Sequence, residues 1–67
     1  MCLAKAYVRP AAGDSDTSLL MENVTRVEVD GDQVRLKSLL GAADVVRGRI
    51  ATIDFSEGRL VLQSVEP

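Results

Sequence analysis

From Val24 to Ser38 the chain alternates twice about a tight turn, and a β-hairpin is the simplest structure that this pattern fits. Val27 and Val29 interleave with Arg26, Glu28 and Asp30; Gly31-Asp32 follows; Val34 and Leu36 then interleave with Gln33, Arg35 and Lys37. Strand side chains point to opposite faces in turn, so each arm carries one apolar and one charged face. An Asp30-Gly31 loop would set Val29 against Asp32 and waste a core position. A Gly31-Asp32 loop sets Val29 against Val34, Val27 against Leu36 and Glu28 against Arg35, and is the preferred register. A longer loop stays open.

The same period recurs elsewhere. Cys2, Ala4, Ala6 and Val8 share one face of a first strand, with Leu3, Lys5, Tyr7 and Arg9 on the other. Pro10 stops this strand, since it has no N–H for a ladder. Residues 11–18 are small and polar and read as a surface loop. Leu19-Leu20-Met21 is a short strand ended by Glu22-Asn23. Leu39-Leu40-Gly41 bends the chain, and Asp44 to Arg47 is a weak strand ending at Gly48. Arg49 to Asp54 alternates again, and Phe55-Ser56-Glu57-Gly58 fits a type I turn. Arg59 to Val65 returns as the last strand, with Asp54 facing Arg59, Ile53 facing Leu60 and Ala51 facing Leu62. No stretch shows a convincing 3.6-residue period. The expected fold is all-β, a single domain over residues 1–67 built from six or seven short strands. A lone open sheet would leave apolar residues on both faces and two raw edges, so closure into a small SH3-like barrel is expected.

At 67 residues the chain stands near the lower limit for independent folding. Scaffolds of this size usually need a disulfide, a metal or a second subunit. One cysteine excludes an internal disulfide, so a homodimer is expected. Nothing reads as a signal peptide, and no apolar run approaches the roughly 18 residues of a spanning helix. The expected location is the cytoplasm, with no membrane partner. Eight basic and ten acidic residues give a net charge of −2. That balance lacks the electrostatic footprint of a general nucleic-acid binder.

Chemistry has few places to reside. Without histidine there is no Ser-His or Cys-His pair. The carboxylates are scattered over turns and wet strand faces, and the glycines sit singly at turns. No enzyme is expected. RNA binding is the alternative, through a basic strip of Arg26, Arg35 and Lys37 on the hairpin's exposed face. Two aromatics supply few stacking platforms, and Glu28, Asp30 and Asp32 dilute the strip. Cys2 is the one soft ligand besides the thioethers of Met1 and Met21. On residues 2–8 alone, a small buried hydrophobe is the favoured reading of this cysteine. Its place at the second position weighs the other way. If Met1 is removed, amine and thiolate of Cys2 close a five-membered chelate; if Met1 stays, the deprotonated amide of Cys2 can replace the amine. One chain then offers half a site, and two chains offer two sulfurs and two nitrogens. Such a donor set suits Ni(II) or Cu(II) in a plane better than tetrahedral zinc.

The chain resembles the CooT family, small nickel-binding proteins associated with maturation of nickel-containing carbon monoxide dehydrogenase. Some members are catalogued as predicted RNA-binding proteins. The resemblance runs through Met1-Cys2-Leu3-Ala4-Lys5-Ala6-Tyr7, Leu20-Met21-Glu22-Asn23-Val24, Val29 to Leu36, Leu39-Leu40-Gly41, and Gly48-Arg49-Ile50 leading to Ile53-Asp54-Phe55. It implies a homodimer of small β-barrels with one Ni(II) per dimer, Cys2 as the metal-binding residue, and a nickel enzyme or its maturation factors as partner. Hydrogenase-maturation chaperones of the HypC type share the Met-Cys-Leu start, but continue into a proline and carry a histidine. This chain has Ala6-Tyr7 and no histidine, so that family is the second choice. A histidine-rich tail is also missing, which argues against bulk nickel storage.

Overall fold

In a computed structural model, the described residues are 3–11 and 17–65. They form β1 (Ala4–Arg9), β2 (Ser18–Asp30), β3 (Gln33–Ser38), β4 (Ala43–Asp54) and β5 (Arg59–Ser64), with no helix among them. The five strands close on themselves in the order β1-β2-β3-β4-β5. Neighbours run antiparallel except at the closure, where β1 and β5 pair in parallel from Lys5↔Arg59 to Arg9↔Gln63.

Five strands replace the expected six or seven because two of them turn corners. Residues 18–24 of β2 pair with β1, and residues 24–30 pair with β3. At this corner Asn23 takes a positive φ of 56° and the ladder registers shift. Asparagine tolerates the left-handed region better than most residues. Glu22-Asn23, expected to end a strand, therefore bends one. Likewise, residues 43–47 of β4 pair with β3 and residues 48–54 with β5. Gly48, expected to end a strand, is this second corner. Its N–H donates to the Asp32 carbonyl at 2.7 Å, and a Cβ built on it would lie 2.0 Å from the Gln63 carbonyl oxygen. Only glycine lets β5 come so close.

The hairpin register is the preferred one: Val29↔Val34, Glu28↔Arg35 and Val27↔Leu36 about Gly31-Asp32. Gly31 supplies the positive φ of the turn, 62°. Val29 nonetheless is 58% exposed, because the hairpin tip reaches past the packed interior. Asp54↔Arg59 and Ile53↔Leu60 also stand as expected. The pairing of Ala51 with Leu62 does not. A bulge between Ile50 and Thr52 puts Ile50 opposite Leu62 and Thr52 opposite Val61. An alternating pattern cannot reveal an extra residue that takes no partner.

The interior is small and aliphatic. Ala6, Val24, Val34, Leu36, Leu60 and Leu62 are buried, and Ala4, Val8, Leu20, Met21, Val27, Val46 and Ile50 pack around them. Burying a side chain such as Leu62 contributes about 2–3 kcal/mol. Ser38 is the buried polar residue of β3, and its Oγ accepts the Ala42 N–H at 3.0 Å, so that burial leaves no orphan. β1 ends at Arg9, just before Pro10. The inward face expected for Ala4, Ala6 and Val8 is observed; the same expectation for Cys2, and most of the expected loop at residues 12–16, lie outside the described residues.

Candidate functional site

The start of β1 is held by the turn between β4 and β5. Asp54 makes that turn: its Oδ1 accepts from Ser56 Oγ at 2.7 Å, Ser56 N at 3.0 Å and Glu57 N at 3.1 Å. These donors, the Ser56 hydroxyl first, hold the Asp54 carboxyl below its ordinary value, with Arg59 adding a smaller attraction. Gly58 then takes φ 65°, and its carbonyl accepts the Lys5 N–H at 2.9 Å. Phe55 opens this turn, as the sequence suggested, and is 87% exposed.

Leu3, the described residue next to Cys2 in sequence, is exposed at this end of β1. With Lys5, Tyr7, Glu57, Gly58 and Arg59 it lines a polar hollow of about 230 Å³. The Arg59 guanidinium lies 5.0 Å above the Tyr7 ring centre, a cation–π contact. Lys5 and Arg59 meet only because β1 and β5 pair in parallel at the closure. Alternation put Lys5 on one face with Tyr7 and Arg9 and set Arg59 opposite Asp54, but two strands 54 positions apart carry no local signal of being neighbours.

Cys2 itself lies outside the described residues. Among the described residues no three His, Cys, Asp or Glu side chains gather closely enough to hold a metal ion. At Cys2, a thiolate and the backbone nitrogen beside it would supply half of a four-coordinate site for a soft divalent ion. The chemistry of that set fits nickel in a plane, provided that a second copy supplies the other half.

The basic strip of the hairpin is brought together as expected. Arg26, Arg35 and Lys37 line an open groove of about 210 Å³ with Glu28, Leu36, Ala43, Asp44 and Val45. Its cations are largely engaged, however. Arg26 Nη2 stands 2.9 Å from Glu28 Oε2, and Arg35 reaches Glu28 at 3.6 Å and Asp30 at 3.7 Å. A phosphate there would have to displace carboxylates already in place. Among the described residues no helix is long and apolar enough to cross a membrane.

Comparison with known proteins places this arrangement. A crystal structure assigned to CooT from Carboxydothermus hydrogenoformans superposes with a TM-score of 0.82, covering 97% of this chain and 100% of that one at 18% identity, which shows a shared fold. An uncharacterized protein of Archaeoglobus fulgidus is 35% identical over 43 residues, 64% of this chain and 96% of the relative. The model of the family described as CO dehydrogenase accessory protein CooT matches residues 1–63, which takes in the terminal cysteine, the hairpin, both corners and the closing strand. The chain belongs to the CooT family.

Proposed function

We propose that this protein is a nickel-carrying accessory protein for a CO dehydrogenase, a carrier rather than an enzyme, in which the Cys2 residues of two copies together hold one Ni(II). The observation that carries the reading is the family match, which begins at residue 1 and so includes the chain's one thiol. In this reading the closed sheet is an SH3-like barrel, the working unit is a homodimer, and the site of action is the cytoplasm. Each chain contributes a thiolate and a backbone nitrogen at Cys2. The Asp54-capped turn and the Lys5–Gly58 bond fix the strand from which that residue is offered. Nickel is cargo here, and a pair of thiolates on chain termini gives it up more readily than a buried cage would.

Calorimetric titration of the metal-free protein with Ni(II) tests this directly. The isotherm breaks near one ion per two chains, and Cys2→Ser weakens binding severely, since a hydroxyl is harder and stays protonated near neutral pH. Affinity falls as pH drops, because thiolate and nitrogen must lose protons to bind. One ion per chain, or tight binding that survives Cys2→Ser, would overturn the shared site.

A further inference from the structure

The outward face of β4, β5 and β1 gathers charge that the ion pairs resolved among the described residues do not engage. The registers across β5 set three rows side by side: Lys5, Arg59 and Asp54; Tyr7, Val61 and Thr52; Arg9, Gln63 and Arg49. Directly opposed residues share a face, and successive rows lie about 7 Å apart. Lys5, Arg59, Arg9 and Arg49 therefore frame a patch about 14 Å long, with Tyr7 and Val61 at its centre. This face holds four of the eight Lys and Arg side chains but, with Asp54 and Glu57, only two of the seven described Asp and Glu, which leaves four cations and five carboxylates for the other described surfaces. The resolved ion pairs, through Arg26, Arg35 and Arg47, lie on the hairpin side. Asp54 turns its carboxylate into its own turn.

Two of the cations are held in place. Arg59 is stacked on Tyr7, and the Arg9 Nε donates to Gln63 Oε1 at 2.6 Å. We propose that this face docks an extended acidic segment of a partner protein, its Asp or Glu carboxylates meeting the guanidinium forks and the Lys5 ammonium. Single-stranded nucleic acid fits less well, because Arg59 covers the one aromatic ring on the face and leaves no platform for a base. β1 and β5 have both edges paired, so the segment binds through side chains and not as an added strand. The patch starts at Lys5, two residues after Leu3, which sets a docked partner beside the start of β1. Nothing in this docking requires nickel.

The test is an amide-shift titration of the full isotopically labelled chain, without metal, using an octaglutamate peptide at low ionic strength. Shifts confined to residues 5–9, 49–54 and 59–63 are expected, fading with added salt. The double variant Lys5→Gln/Arg49→Gln, at two exposed positions, weakens binding about fivefold or more, whereas Arg26→Gln/Lys37→Gln leaves it unchanged. Shifts centred on β2 and β3, equal weakening by both double variants, or no shifts at millimolar peptide would overturn the proposal. So would tighter binding of an octauridylate at the same amides. Because the mapping uses the native chain, it decides the matter even where a variant folds poorly.

Discussion

Replacing Gly48 with alanine would place a methyl carbon 2.0 Å from the Gln63 carbonyl oxygen, 2.9 Å from its carbon and 3.0 Å from the Ser64 Cα. Carbon contacts are comfortable at about 3.5–4.0 Å, so the backbones of β4 and β5 would have to part by more than about 1 Å. Such overpacking costs about 1–3 kcal/mol. The backbone at this corner, φ +158°, suits glycine and adds about 1–3 kcal/mol for an L side chain. A combined loss of about 2–6 kcal/mol compares with about 3–10 kcal/mol of total stability for a domain of this length. Gly48→Ala should therefore stand at the edge of unfolding. Urea denaturation followed by far-ultraviolet circular dichroism measures it, at one protein concentration for every variant, since association of copies would shift the midpoint. Gly31→Ala is the comparison, because its φ is also positive but its added Cβ meets nothing within 4 Å. That variant should lose about 1–2 kcal/mol. Equal losses in the two, within about 0.5 kcal/mol, would refute the close approach as the reason for glycine at the corner.

Truncating the fully buried Leu62 to alanine should cost about 2–5 kcal/mol in the same assay. Phe55→Ser should stay within about 0.5 kcal/mol, since the ring is largely in water; a larger, concentration-dependent loss would place Phe55 between copies. The stabilising share of Asp54 is fully present above its ordinary value of 3.8 and is lost as pH falls from there through its lowered folded value. Acid titrations of stability should accordingly show a shallower decline for Asp54→Asn than for the native chain. Light scattering of the metal-free protein at micromolar concentration should report a dimer, and a stable monomer would count against the shared nickel site.

The hairpin, the Asp54–Arg59 pairing and the inward set Ala4, Ala6 and Val8 were legible because each rests on short-range alternation. What escaped the sequence depends on which distant segments become neighbours. Asn23 and Gly48 have the composition of breakers, and the same freedom of φ that ends a strand also lets one bend into a second partnership. Counting each half of β2 and β4 as a strand is the natural result. The parallel closure of β1 on β5 left no local trace, so the hollow beside Leu3 and the cationic rows behind it were invisible as sites. Lys5 and Arg59 each read as ordinary solvated charge. The terminal cysteine stood out for the opposite reason, since its chemistry needs no neighbour from the fold to be noticed.

The parallel pairing of β1 with β5 also sets how the molecule bears load. Leu3 leads into β1 beside the beginning of β5, whereas Val65 leaves β5 beside the end of β1, so the two ends exit at opposite poles. Tension applied between them slides the two strands past each other and strains the whole Lys5–Arg9 ladder at once. An antiparallel closure would instead peel one hydrogen bond at a time. A pull on Leu3 against an anchor at Val65 thus loads the β1–β5 hydrogen bonds in shear, so that they resist together.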